Sequence, residues 1–432
     1  MRRFHLSIAI FSGFIIIIML IFAFCVDLSS SGTAYSGRDD IAGGWTDQSG
    51  RTVSLSRVFE KDSPDKNTFT HEIDGSTLNG RGLCLVTHNT NFTVSLGDET
   101  IYEFYPQLGG IYGMRYGEAV HTVDLPSFTG TRTLTIKAES LRSDGMSGCN
   151  ELYLQSTREF VHSIIHSEVV KLGLCIITFF FGVLLFIVGI IEDKLSGKML
   201  EPVCLGATTL IVSAWIGSQT LVMRLLSHNP AMLRAMEYLA LCVLPIPVLM
   251  FYSSITKNPK NKAVIAAVIA AVLNTLTTLV LVCCGAVDYA ELLIVSHIII
   301  FVGVILLLYL VIRVIVRKEM SRSKTIYLTS ALIVLAASGM FDMIRYYVNR
   351  SRDFTFVTLI GLLVYAVILA IYEYKHIIEM QVRSSEAELM QALAMEDTLT
   401  GLGSRAAFVA AEKELRKRTN GKCFLSISTS TS

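Results

Sequence analysis

Apolar residues follow three different patterns along the chain. Eight runs are apolar almost without a break: Ser7–Cys25, Val169–Ile191, Leu205–Leu225, Met232–Tyr252, Ala263–Cys283, Leu292–Ile315, Thr325–Ile344 and Phe354–Ile371. A bilayer core of about 30 Å takes roughly 20 apolar residues of helix to cross, so each run is predicted to be a span. Residues 26–168 separate the first run from the other seven, which follow closely on one another.

The separating segment alternates apolar and polar positions instead. Phe69, His71 and Ile73 form one stripe, and Leu83, Leu85 and Thr87 another. Phe92, Val94 and Leu96 run into Gly97-Asp98, and Thr100–Tyr105 follows, which is a hairpin signal. Val120–Leu125, Thr133–Ala138 and Leu152–Leu154 continue the pattern between glycine- and proline-rich breaks. About eight short strands at this spacing predict an all-β sandwich of jelly-roll type. After the last span the period turns helical: Ile378, Val382, Ser385, Leu389 and Ala392 are spaced as a short heptad seam. That seam is expected to form either a parallel dimer stalk or a simple amphipathic linker.

Composition agrees with this division. Hydrophobic residues make up 52% of the 432 residues and charged residues 17%, with a mean hydropathy of +0.53. Soluble domains carry roughly 25% charged residues, so an ordinary cytosolic globule is excluded, and so is intrinsic disorder. A net charge of +1 gives no electrostatic footprint for nucleic acid; the expected partner is the lipid bilayer.

Lys and Arg in short loops set the orientation. Arg2 and Arg3 precede the first run; Lys194, Lys198, Lys257, Lys260 and Lys262 lie in two later loops, and Arg313, Arg317, Lys318, Arg322 and Lys324 in another. This places both termini in the cytoplasm and residues 26–168 outside the cell membrane. The first run reads as an uncleaved anchor or as a signal sequence; it is longer than the roughly 7–15 apolar residues of a signal core. The expected divisions are therefore 1–25 anchor or signal, 26–168 extracytoplasmic sandwich, 169–371 seven-helix bundle, 372–396 helical linker and 397–432 a further piece.

Candidate chemistry is sparse. Trp45, Tyr102, Phe104, Tyr105 and Tyr112 are able to stack on a small ligand such as a sugar, or else fill the core. Cys84 and Cys149 lie in the same segment, where a disulfide could persist; the alternative is two unpaired buried thiols. Asn274, Gln219, Glu237, His297 and Asp342 are polar groups within or at the ends of spans. Asp342 and Arg345 stand one turn apart, close enough to pair. No Cys or His spacing suggests a metal. No run of acids crosses several spans as an ion pathway needs, which weighs against a transporter.

The last segment begins Met395-Glu396-Asp397-Thr398-Leu399-Thr400-Gly401-Leu402-Gly403-Ser404-Arg405-Ala406-Ala407-Phe408. It resembles the opening signature of GGDEF-type diguanylate cyclase domains at Asp397, Leu399, Thr400, Gly401, Leu402, Arg405 and Phe408, with Ser404 where the family has Asn. Ser404 is suited to cap a helix over Arg405–Arg418 that buries Phe408, Ala411 and Leu415, and Cys423–Ile427 reads as a strand. The resemblance implies an α/β domain that binds Mg²⁺ and GTP and makes cyclic-di-GMP. The metal-binding acid that follows this strand in the family has no counterpart, since no acid follows Glu414. The chain is therefore expected to carry a truncated GGDEF domain, with no cofactor and no cyclase activity. The whole arrangement is similar to bacterial seven-transmembrane receptors with diverse intracellular signalling modules. That resemblance implies a dimeric receptor for a small extracytoplasmic ligand, a carbohydrate among the candidates. A non-catalytic receptor or scaffold acting by dimerisation is the alternative, and a transporter the third.

Overall fold

The computed structural model describes residues 39–41, 43–55, 67–78, 80–141, 148–196, 201–227, 229–256, 261–318, 320, 322–349, 356–395, 404 and 407–408. The run Ser7–Cys25, the expected strand Cys423–Ile427 and six signature positions (Asp397, Leu399, Thr400, Gly401, Leu402 and Arg405) lie outside them. Two compact units result, Met1–Leu369 and Ala370–Ser432.

The described residues of the first unit open with ten strands in two antiparallel sheets. One sheet runs β1-β10-β5-β8, formed by Asp39–Asp40, Gly148–Gln155, Gly82–His88 and Glu118–Val123. The other runs β3-β2-β4-β9-β6-β7, formed by Thr52–Val53, Trp45–Asp47, Thr68–Asp74, Thr131–Ser140, Thr90–Leu96 and Glu99–Phe104. Period-2 alternation drives the packing: β9 pairs Ile136 with Phe69 on one side and with Val94 on the other, and all three point into the space between the sheets. Leu83, Leu85 and Leu152 face them from the smaller sheet. Leu96 pairs with Glu99 across Gly97-Asp98, and Gly97 has a φ of +63°, the backbone a two-residue hairpin requires. The predicted strands are present, and β1 to β3 are added.

Strand β5 is buried on both faces, and its sequence Leu83-Cys84-Leu85-Val86 is accordingly apolar without alternation. Leu83 and Leu85 face the other sheet; Cys84 and Val86 face the helices with Tyr153, Phe160, Ile164 and Val222. This separates the two cysteines considered for a disulfide. Cys149 packs in the inter-sheet core and Cys84 on the opposite face of the same sheet, and no disulfide joins them.

A one-turn helix, α1 (Gly75–Leu78), lies among the strands, and the remaining described helices follow the sandwich. Helix α2 (Thr157–Ser196) leads directly from β10; its first turns place Phe160 and Ile164 on the sheet, and its body is apolar. Then come α3 (Glu201–Ser218), α4 (Leu221–Leu226), α5 (Pro230–Val243), α6 (Pro245–Ile255), α7 (Lys262–Cys283), α8 (Tyr289–Arg317), α9 (Arg322–Asn349) and α10 (Phe356–Met395). Among the described residues, five stretches are long and apolar enough to cross a membrane: Thr157–Ile191, Pro230–Ile255, Lys262–Cys283, Tyr289–Arg317 and Arg322–Asp342. Large apolar side chains such as Phe180, Leu276, Ile298 and Phe301 lie more than half exposed along them, as lipid-facing residues do. These features make the chain a multi-pass membrane protein.

Three expected spans differ in form. Met232–Tyr252 is divided at Leu244 between α5 and α6, although Pro230–Ile255 together is long enough to cross. Leu205–Leu225 is not one helix: α3 stops at Ser218, and Thr220 caps the separate α4 by accepting from the Met223 amide. The apolar part of α10, Val357–Tyr372, is shorter than the five spans above. Helix α10 itself continues to Met395, so the helical period read after the last span is a direct extension of it.

Helices α2 and α3 approach closely because three glycines line their seam. A Cβ on Gly206 would lie 2.6 Å from the Phe186 amide nitrogen, and one on Gly189 2.6 Å from that of Val203. Ser213 also donates to the Cys175 carbonyl across this pair at 2.8 Å. Small residues and interhelical hydrogen bonds hold helices together where lipid removes the hydrophobic drive. Asn274 on α7 donates to Ser296 Oγ on α8 at 3.0 Å, and Ser296 lies 3.3 Å from Cys242 Sγ on α5.

Candidate functional site

The sandwich meets the helices through buried charge. Glu118 opens β8, and Arg224 lies in the last turn of α4. Arg224 Nη1 donates to Glu118 Oε2 at 3.0 Å, and its Nη2 donates to Glu237 Oε1 on α5 at 2.9 Å. The three side chains are only 11–14% exposed. One guanidinium thus bridges a carboxylate of the sandwich and a carboxylate of the bundle, which its planar fork suits and a lysine would not. His88 Nδ1 stands 3.8 Å from Glu118 Oε1. Burial pushes the His88 imidazole below its usual range, with Glu118 opposing. Beside this group Arg234 lies over the Tyr238 ring and donates to its hydroxyl at 2.8 Å, and Tyr238 stacks on Tyr289. Gly117 leaves space for Arg234, since a Cβ there would stand 2.7 Å from its Nη1.

A second tie runs from the loop between β7 and β8, whose middle is a short 3-10 turn at Gly110–Tyr112. Asp288 caps α8 by accepting from the Ala290 amide, and its other oxygen accepts from the Met114 amide at 3.0 Å. Tyr289 donates its hydroxyl to the Ile111 carbonyl at 2.8 Å, and Arg115 pairs with Glu291 at 3.2 Å. Gly113, with φ of +75°, leaves room for the Tyr289 ring. Tyr116, Ala119 and Ala231 bury the apolar part of this contact.

Behind the loop lies a polar group inside the sandwich. His121 Nε2 is 2.7 Å from Thr87 Oγ1, and its Nδ1 is 3.1 Å from the Tyr102 hydroxyl. Phe92 and Phe104 pack edge-on against the ring. Burial pushes this imidazole down to about 3, so it is neutral. Tyr116 donates its hydroxyl to the Thr90 carbonyl at 2.6 Å and accepts from the Thr90 amide at 2.7 Å.

The aromatics singled out from sequence do not form one surface. Trp45 is fully buried, donates Nε1 to the Ile41 carbonyl at 2.6 Å and packs at a tilt against His71. Tyr102 holds His121 in the interior, and Phe104 packs beside it. Tyr112 packs into the junction. Tyr105 is 58% exposed, with its hydroxyl 3.4 Å from Thr93 Oγ1. Asp342 accepts from the Thr358 amide on α10, and Arg345 lies over the Phe341 ring. Ser404 does cap a helix, accepting from the Ala407 amide at 3.3 Å, while Phe408 is 51% exposed. Burial pushes the Cys84 thiol up to about 12, so it is held unreactive.

Glu118, Arg224, Asp288 and His121 were not marked by any motif. The available signal was an arginine at the end of an apolar run, beside the Gly217–Thr220 helix break. Models of known protein families return no match to the chain, and no curated protein matches it.

Proposed function

We propose that the chain is a transmembrane receptor in which the sandwich senses an extracytoplasmic small ligand and the helices pass its state to a cytoplasmic output. The observation that carries this reading is the Arg224 bridge between Glu118 and Glu237. A rearrangement of the sandwich sheet that moved Glu118 would leave buried charge unpaired at the head of the bundle, so sandwich and helices must move together.

The interleaved strand order 1-10-5-8 against 4-9-6-7 supports a jelly-roll scaffold. Counting α3 and the apolar part of α10 with the five longer spans gives the seven-helix arrangement of the receptor family named above. The bundle's last helix is continuous with a cytoplasmic stalk, along which Ile378 and Val382 are 40% and 50% exposed, as a dimer seam would be in a single copy. The Ser404 cap supports a helix starting where a GGDEF domain begins its own. The output in this reading is formation of cyclic-di-GMP from GTP, through a GGDEF domain whose opening signature the segment after Met395 resembles.

The test is a chimera in which an intact GGDEF domain follows residue 396. Cyclic-di-GMP formation that changes on Glu118→Gln or Arg224→Gln, at equal membrane abundance, supports the reading. Output indifferent to both substitutions contradicts it.

A further inference from the structure

Between the sandwich and the apolar body of α2, two histidines stand one turn apart. His162 and His166 are both exposed, and their rings lie side by side with centroids 6.3 Å apart and planes inclined by 23°. The pair belongs to neither the junction nor the His121 group. Its neighbours on the other helical face, Phe160 and Ile164, are committed to the sheet.

We propose that His162 and His166 form a binding site for a divalent transition-metal ion. Histidines at i and i+4 project from one face of a helix, and a rigid helix holds two imidazoles at the separation a single ion can bridge. Imidazole nitrogen suits Cu²⁺, Ni²⁺ and Zn²⁺ over Mg²⁺ and Ca²⁺, which take oxygen. Glu159 and Arg158, three and four residues before His162, are also exposed and offset each other's charge, so the two imidazoles alone carry the site. Among the described residues no three His, Cys, Asp or Glu side chains converge. The helix therefore supplies two nitrogens, and water completes the coordination. Both histidines lie in the first turns of the stretch Thr157–Ile191, just after strand β10, so a bound ion would stiffen the helix where it leaves the sandwich.

The probe is Cu²⁺ added to the full-length protein, purified through a histidine-free tag in detergent. Electron paramagnetic resonance should show one ion per chain with two imidazole nitrogens. Calorimetry with Ni²⁺ or Zn²⁺ should show His162→Ala and His166→Ala each weakening binding by at least about tenfold, the lower end of what even an outer-shell partner of a metal ligand contributes. Both side chains are exposed, so each variant should melt as the parent does without metal, which separates ligand loss from misfolding. Equal affinity in the parent and the double variant overturns the proposal, as does a copper spectrum with a single nitrogen in the parent.

Discussion

Arg224 Nη1 lies 3.0 Å from Glu118 Oε2, joining a helix at the head of the bundle to the first residue of a sandwich strand. The pair is separated by 106 residues in sequence. Because Arg224 also holds Glu237, its removal leaves two carboxylates in a setting where each is less than 15% exposed. Uncompensated buried charge costs about 3–5 kcal/mol. Arg224→Ala should therefore lower the melting temperature strongly in detergent, and Arg224→Lys should recover only part of the loss because an ammonium lacks the two-pronged geometry.

The seam between α2 and α3 depends on glycine. Gly206→Ala places a methyl 2.6 Å from the Phe186 amide nitrogen and 2.8 Å from its Cα, backbone atoms that cannot swing aside. Forced overpacking costs typically about 1–3 kcal/mol. Gly173→Ala and Gly217→Ala, in the same helices but facing open space, should be neutral or stabilising by up to about 1 kcal/mol, since alanine favours helix over glycine. Thermal unfolding of the three variants gives the order directly.

Sandwich stability should depend on pH through His121. The folded chain holds this imidazole down to about 3 by burial, whereas an unfolded imidazole titrates near ~6.5. The unfolded state therefore binds a proton that the folded state refuses. The contribution is complete above about pH 6.5 and is lost as pH falls toward 3. Burial lowers His88 in the same direction. His121→Phe, in a ring of aromatics, should shrink the fall in melting temperature between about pH 7 and pH 5, where carboxylates are still largely ionised.

The loop tie is testable at Asp288. Asp288→Ala removes the cap of α8 and the acceptor for the Met114 amide together. Loss of a cap alone costs about 0.5–2 kcal/mol. Limited proteolysis should show faster cleavage within residues 105–117, with the strands on either side unaffected. Cleavage unchanged from the parent would show that the loop is held by its apolar contacts alone.

What the sequence disclosed follows from how far each interaction reaches. The strands of the sandwich were legible because alternation is local, and β6 to β7 even announced its turn through Gly97-Asp98. Apolar runs disclosed the long helices for the same reason. The break at Ser218 was missed because hydropathy continues through Leu221–Leu225, although Gly217 and the Thr220 cap marked it. Cys84 and Cys149 share a segment, and only the two-sided burial of β5 reveals that they face opposite ways. The Glu118–Arg224–Glu237 group was the least visible: Glu237 stands out as a polar group at a span end, but Glu118 and Arg224 taken alone look like ordinary surface charges. Their meeting depends on the sandwich docking on the helices.

The coupling of sandwich to bundle through charge is tested most directly by a double-mutant cycle at Glu118 and Arg224. Unfolding free energies would be measured for the parent, Glu118→Gln, Arg224→Gln and the double variant in one detergent. The account predicts an interaction energy above about 1 kcal/mol, with the double variant less damaged than the two single losses combined. Additivity within about 0.5 kcal/mol, the behaviour of independent sites, would contradict it.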